Sequence, residues 1–255
     1  MLNFIDISSH QGDIDLSVLP IDAVIIKATE DTDYVNPYCD SKVQQAKQLG
    51  MPWGFYHYAG AKDPVSEANY FIQHCEGYFG EGIPVLDWEG VYDKDGNLIF
   101  DQPVDWVNRF VNRVHEVKGI WCVIYGNPWR FNQGGVEQNC GRWVASYPSH
   151  LLYPNFGADE GECPDTDGLV CAWQFASDGR LNGYDGNLDL NRFYGDKGAW
   201  AAYAGAKVAL DPEPAPQPEP TPEEPEKPQE PEKDGDCSGT HHVVHLGDTV
   251  EFAKD

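Results

Sequence analysis

Asp87 and Glu89 stand one tryptophan apart at the end of the apolar run Ile83-Pro84-Val85-Leu86, a spacing suited to acid–base chemistry. In an extended strand alternate side chains share a face, so both carboxyls point one way and Trp88 the other. At roughly 3.3 Å of rise per residue their Cα atoms lie about 6.5 to 7 Å apart. Two carboxyls that close adopt different protonation states, which is what cleavage of a glycosidic bond requires. A lone D-x-E also fits a polar strand end that caps the next element. Two further acids sit in strand-like sequence, Asp6 in Ile5-Asp6-Ile7-Ser8 and Asp189 in Asn187-Leu188-Asp189-Leu190-Asn191. Taken singly, each of these also fits a turn or a loop cap.

Aromatic residues recur beside these acids: Tyr56-His57-Tyr58, Tyr125, Trp143 with Tyr147, and Trp173-Gln174-Phe175. Their faces and polar tips suit pyranose rings, although most aromatic residues in any one position are core residues. Lys27 ends the apolar run Ala23-Val24-Ile25-Ile26. A buried ammonium needs a carboxylate, so Lys27 either pairs with a site acid or reaches solvent.

The elements that position these residues follow from hydrophobic periodicity. Strands are expected over 3–7, 23–28, 53–58, 83–88, 121–125, 143–147, 170–175 and 187–190, and helices over 37–49, 64–78 and 101–117. The last helix carries Val104, Val107, Phe110, Val111 and Val114 at helical spacing. Strands alternating with helices imply an α/β fold with parallel strands under covering helices. About eight strands in this length suggest an irregular (β/α) TIM-like barrel over residues 1–210, with weak helices across 148–167. In such a barrel catalytic side chains stand at the C-terminal strand ends. Closure then brings the first and last strands together, so Asp6, Asp87, Glu89 and Asp189 converge on one mouth. Crowded negative charge holds at least one of them protonated near neutral pH.

The formal net charge of the chain is −25, with residues 1–210 contributing −15 and residues 211–255 contributing −10. So acidic a surface argues against phosphate-backbone binding, which needs clustered Lys and Arg. No apolar run reaches the roughly 18 residues of a membrane span. The start, Met1-Leu2-Asn3-Phe4-Ile5-Asp6, shows no signal peptide, since it lacks a basic and then an apolar region. Seven cysteines (39, 75, 122, 140, 163, 171 and 237) form no C-x-x-C pair, so no metal site and no cofactor are expected. Cys122 and Cys171 read as buried thiols, and a Cys163–Cys171 bridge stays open. A monomer is expected.

Nine prolines and many glutamates occupy residues 211–234, a composition that buries no core and reads as a disordered, extended linker. Beyond it, residues 235–255 contain His242-Val243-Val244-His245-Leu246-Gly247-Asp248-Thr249-Val250. This resembles the opening strand and G-D-T turn of a LysM peptidoglycan-binding module, cut short. His241, His242 and His245 lack the Glu of H-E-x-x-H and make no zinc-hydrolase motif.

Ordered segments across the first 200 residues carry a broader resemblance: FIDISSHQG at 4–12, IIKATE at 25–30, WGFYHYA at 53–59 and PVLDWE at 84–89. They continue with RWVASY at 142–147, AWQFASDG at 172–179 and LDLNRF at 188–193. Together they resemble glycoside hydrolase family 25, the Chalaropsis-type lysozymes found widely among phage endolysins. The resemblance implies an irregular β/α barrel and a muramidase that cleaves the β-1,4 bond between N-acetylmuramic acid and N-acetylglucosamine in bacterial peptidoglycan. Glu89 matches the family's general acid/base, Asp87 its partner, and Asp6 and Asp189 the other two catalytic aspartates. Tyr56, Tyr58, Tyr125, Trp143, Trp173 and Lys27 are expected to meet substrate. Where the family commonly places a glycine after the glutamate of I-I-K-A-T-E, this chain has Asp31. The mechanism implied is retention assisted by the substrate's own acetamido group, with a carboxylate nucleophile or inversion as alternatives. A leaderless muramidase of this kind resembles an endolysin held in the host cytoplasm until the membrane opens. Competing readings are a barrel glycosidase acting on chitin-like polymers and a non-catalytic wall-binding protein.

Overall fold

The computed structural model describes residues 1–206, so the linker at 211–234 and the LysM-like stretch at 235–255 lie outside the described residues. The eleven strands are β1 (Leu2–Ile7), β2 (Ala23–Glu30), β3 (Tyr34–Val35), β4 (Trp53–Tyr58), β5 (Ile83–Asp87), β6 (Val91–Tyr92), β7 (Leu98–Phe100), β8 (Val123–Gly126), β9 (Arg142–Ala145), β10 (Val170–Gly179) and β11 (Leu188–Phe193). The helices are α1 (Cys39–Gln48), α2 (Pro64–His74), α3 (Val104–Lys118), α4 (Pro128–Phe131) and α5 (Lys197–Tyr203). Local chemistry sets several boundaries. The Asp63 carboxylate caps α2 by accepting from the N–H groups of Val65 and Ser66, with Pro64 in the first turn. Gly119, at φ +69°, ends α3.

The order β1-β11-β10-β9-β8-β5-β4-β2, closed by pairing of β1 with β2, makes an eight-stranded barrel. This is the expected irregular barrel, with one departure from a parallel sheet. Strand β11 runs antiparallel to both neighbours, β10 and β1. Only residues 180–187 join β10 to β11, and they hold no crossover helix. A parallel return needs a dozen or more residues, so this connection has to reverse the chain. No helix or strand interrupts residues 146–169, in keeping with the weak helical pattern there.

Strand alternation divides the apolar residues into two cores. Phe4, Ile25, Ile83, Val85, Val123, Trp143, Ala172 and Phe193 point into the barrel. Residues of the opposite parity, Ile5, Val24, Ile26, Leu86, Ile124, Val144, Trp173 and Leu190, point outward under the helices. Of the five residues expected on the inner face of α3, Val107, Phe110, Val111 and Val114 are buried there, joined by Trp106. The six described cysteines are free thiols. Cys171 belongs to the barrel interior and Cys163 packs on the outer core, so the two do not form the bridge left open above. Among the described residues no helix is long and apolar enough to cross a membrane.

Candidate active site

The barrel interior is apolar up to the level of Phe4, Ile25, Val85 and Val123, and two residues further along each strand it turns polar. The inward position after Phe4 is Asp6, after Ile25 it is Lys27, after Val85 it is Asp87, and after Val123 it is Tyr125. Strand β10 supplies Gln174 two residues after Ala172, and β4 supplies Tyr56 and Tyr58. These side chains line a cavity of about 270 Å³ at the mouth, together with Glu89, Tyr147, Asp189 and the Ser8–His10 turn. Asp189 reaches this mouth because β11 is reversed. It lies near the start of its strand and pairs in register with Asp6, near the end of β1. The four acids are thus brought together, although the strand-end rule applies to only three of them.

Strand β5 ends at Asp87, yet the alternation persists for two more residues. Trp88 turns outward into the core, where its Nε1–H donates to the Gln102 carbonyl at 2.9 Å. Glu89 returns to the cleft and stands at its solvent-facing rim, while Asp6 and Asp87 are buried. The next residue, Gly90, has φ +96°, and a Cβ there would come within 2.8 Å of the Leu98 side chain. Only glycine fits this turn without strain.

Two side-chain amides hold the Asp6 carboxylate. Its Oδ2 accepts from Gln174 Nε2 at 2.8 Å and from Asn191 Nδ2 at 2.9 Å. The orientation of both amides is dictated by donors on their far sides. Tyr125 and Tyr147 donate to Gln174 Oε1 at 2.7 and 2.5 Å, and Trp143 Nε1 donates to Asn191 Oδ1 at 2.8 Å. Each amide oxygen faces donors, which leaves each NH₂ for Asp6. Gln174 and Asn191 were not singled out from sequence. The signal available was a lone amide in an apolar strand, on the inward parity of Ala172 or Phe193.

Burial dominates the acidities. Asp6 is pushed up to about 6, its two amide donors working against desolvation. Asp189 is pushed up to about 9, by desolvation first and then by the charges of Asp6 and Glu89. Asp87 is raised well above the carboxylate range by desolvation and then by Glu89, with Lys27 opposing. Its Oδ1 has no hydrogen-bond partner among the described residues. Glu89 is raised by desolvation, offset by the Tyr125 hydroxyl and the positive charges of Arg130 and Lys27. At neutral pH Asp189 therefore keeps its proton, and the coupled Asp87–Glu89 pair retains one as well. A retained proton on this pair is what a general acid needs.

The remaining expected residues divide. Tyr56, Tyr58 and Tyr125 line the cavity, and the Tyr58 hydroxyl donates to the Gly90 carbonyl at 2.9 Å. Trp143 forms part of the floor, but it is 2% exposed and packs on Tyr125 at 4.7 Å between ring centres. Its part in the site is to orient Asn191. Trp173 requires correction: it lies on the outward parity of β10, 2% exposed, with Nε1–H bonded to the Ser146 carbonyl and its ring against Phe175. It does not face the cleft. Lys27 lines the cavity and pairs with Glu30, Nζ to Oε2 2.5 Å, a carboxylate outside the set considered. Residues three apart normally face opposite sides of a strand. A bulge between Lys27 and Thr29 shifts that parity and brings the pair together.

Behind β4 lies a second polar network that sequence reasoning missed. His57 and Glu67 are fully buried, with His57 Nε2 3.0 Å from Glu67 Oε2 and Nδ1 2.8 Å from Thr29 Oγ1. Burial pushes the His57 pKa down, more than Glu67 pulls it up, so the ring is neutral. Nε2–H then donates to Glu67, and Nδ1 accepts from the threonine. Glu67 also accepts from the N–H groups of Gly60 and Lys62, which ties the loop after β4 to α2.

The family model for glycosyl hydrolases family 25 matches residues 5–184. The N,O-diacetylmuramidase of Chalaropsis sp is 30% identical over 202 residues, which cover 72% of this chain and 94% of that protein. The autolytic lysozyme of Clostridium acetobutylicum is 27% identical over 212 residues, 82% of this chain. The match spans only 59% of the clostridial protein's length. Among solved structures, the bacterial lysozyme from Streptomyces coelicolor superposes with a TM-score of 0.66 at 25% identity, covering 80% of this chain and 96% of that one. With the family model matching well over half of the chain, and a relative 30% identical across 72% of it, this protein belongs to glycosyl hydrolases family 25.

Proposed function

We propose that this protein is a muramidase that hydrolyses the β-1,4 bond between N-acetylmuramic acid and N-acetylglucosamine in bacterial peptidoglycan. The observation that carries the reading is the unequal pair at the mouth: Asp87 buried and Glu89 at the rim, both with raised proton affinity. Similarity to a protein described as an N,O-diacetylmuramidase supports the substrate class.

In this reading the proton held by the coupled Asp87–Glu89 pair passes from Glu89 to the glycosidic oxygen as the bond from that oxygen to the anomeric carbon breaks, leaving Asp87 ionised. The carbonyl oxygen of the substrate's 2-acetamido group bonds to the anomeric carbon from the opposite face. Asp87 steadies the resulting oxazolinium-like cation, and the Asp6 carboxylate adds to the surrounding negative field while Asp189 stays protonated. Water then loses a proton to Glu89 and attacks the same carbon, restoring the acetamido group with net retention. Tyr56 and Tyr58 are neutral phenols, held so by burial and nearby carboxylates; Tyr56 offers its hydroxyl to the sugar, and the Tyr58 oxygen, its proton given to Gly90, accepts. The biological setting we infer is that of a phage endolysin, made in the host cytoplasm and reaching the wall once the membrane opens.

The test is digestion of purified wall, borohydride reduction and mass spectrometry. Muramitol ends are expected from wild-type enzyme, and Glu89→Gln should lose at least about a thousandfold in rate with its fold and glycan binding intact. Glucosaminitol ends, or near-normal turnover by Glu89→Gln, would refute the assignment.

A further inference from the structure

The main chain of Glu89 is gripped from behind by a side chain outside the cleft. Arg130 belongs to α4, which starts just past β8 because the Asn127 side chain accepts from the Arg130 N–H and Pro128 occupies the first turn. Arg130 is 4% exposed. Its Nη2 donates to the Glu89 carbonyl at 2.6 Å, and its Cζ lies 5.2 Å from the centre of the Trp88 ring. Its Nη1 is 2.5 Å from Asp101 Oδ1, a charge contact off the hydrogen-bond axis, and its Nε has no partner among the described residues. The same group presses on the following residue: a Cβ at Gly90 would stand 3.1 Å from Arg130 Nη2. Residues 88–90 are thus clamped between α4 and the β6–β7 hairpin. As mere wall, a buried guanidinium with an idle donor is a poor choice, since an apolar side chain of similar size fills space without desolvating a charge.

We propose that Arg130 is a positioning residue for the acid–base step: by binding the Glu89 carbonyl and stacking on Trp88, it fixes where the Glu89 carboxyl stands at the rim. The proposal rests on the reading of Glu89 as general acid/base.

The charge of Arg130 has a second effect, because it opposes the rise in Glu89 proton affinity that burial imposes. Other groups face the same carboxyl. Asp6 and Asp87 present carboxyls from β1 and β5, Asp189 presents a protonated carboxyl from β11, and Lys27 presents positive charge from β2. The tyrosines of β4 and β8, with Tyr147, are neutral phenols at working pH. Removing Arg130 leaves Lys27 as the remaining cation acting on Glu89, so the Glu89 carboxyl should titrate higher.

The experiment compares wild type, Arg130→Met and Arg130→Lys by turnover of soluble glycan fragments across pH, and by carbon-13 NMR titration of the Glu89 carboxyl. Arg130→Met is expected to lose at least about tenfold in kcat with KM within about twofold. Its Glu89 titration, and the alkaline limb of its rate profile, should move up by about half a pH unit or more. Arg130→Lys should restore the titration but not the rate, because an ammonium keeps the charge without the planar fork. A lowered melting temperature with unchanged kcat and unchanged Glu89 titration would mean that Arg130 is only wall. If Arg130→Met does not fold, wild-type kcat in Arg130→Lys overturns the proposal. If wild type itself cleaves no glycan, the muramidase reading fails, and the NMR titration still decides whether Arg130 acts on Glu89.

Discussion

The stability of Asp189→Asn relative to wild type should grow as pH rises from mild acid to the alkaline side. The side chain is pushed from 3.8 up to about 9 in the folded protein. Between those two values the unfolded chain holds the aspartate ionised while the folded chain holds it protonated. The folded state therefore binds more protons, and stability falls as pH rises through that window. Each pH unit costs about 1.4 kcal/mol, so the interval from pH 5 to pH 8 costs at most about 4 kcal/mol. Asp189 is only half-buried, and solvent screening cuts the figure to about 2 kcal/mol. Asparagine has the shape of a protonated aspartate and no ionisation for unfolding to release. Urea unfolding should show the stability of Asp189→Asn relative to wild type rising by about 2 kcal/mol between pH 5 and pH 8. For a domain of this size that gain is about 4 to 8 °C in melting temperature. A difference between the two proteins that does not change from pH 5 to pH 8 would refute the reasoning. It would mean that Asp189 sits in the folded protein with an ordinary carboxylate pKa.

Other perturbations separate support from chemistry. Gln174→Met removes one of two donors to Asp6 and the acceptor shared by Tyr125 and Tyr147. The Asp6 carboxyl should then titrate above its value of about 6 by carbon-13 NMR, and an unchanged titration would count against the amide's role. Glu67→Ala strands the buried donors of His57 and Gly60 and the part-buried N–H of Lys62, and should cost about 3 kcal/mol or more by urea unfolding. A loss below about 1 kcal/mol would show that the network relaxes freely. Asp31 follows β2 with φ +48°, in the left-handed region that glycine adopts without cost. Asp31→Gly should stabilise by about 0.5 kcal/mol, and a clear loss would show that its 2.6 Å bond to the Thr32 N–H outweighs the strain.

How much of this was legible in the sequence turns on strand parity. The barrel was readable because its inner and outer faces are both apolar, which leaves near-continuous apolar strands separated by helical periodicity. Three of the acids were readable for a related reason, since Asp6, Asp87 and Glu89 each continue the inward parity of apolar residues before them. Parity, rather than residue type, is also what places the aromatics. Trp173 was expected at substrate because it is a tryptophan near a strand end, yet Ala172 and Gln174 own the inward face of β10, and Trp173 belongs with Phe175 outside. The same rule, applied strictly, would have returned Gln174 and Asn191 as site residues.

Parity fails where the backbone changes step, and those steps are written in no residue type. The bulge between Lys27 and Thr29 puts Glu30 beside Lys27 and turns Thr29 outward to His57. That single irregularity therefore builds both the ion pair of the cleft-lining Lys27 and the buried histidine network behind it. The reversal of β11 is likewise a matter of connection length, and it decides which end of the strand carries Asp189 to the mouth. Arg130 lies further still from any pattern, because its contact with Glu89 joins a short helix to a main-chain carbonyl forty-one residues earlier. Side chains that face substrate repeat with the strand and can be read from it. Those that hold the catalytic residues in place answer to loops and bulges, and only the folded chain brings them together.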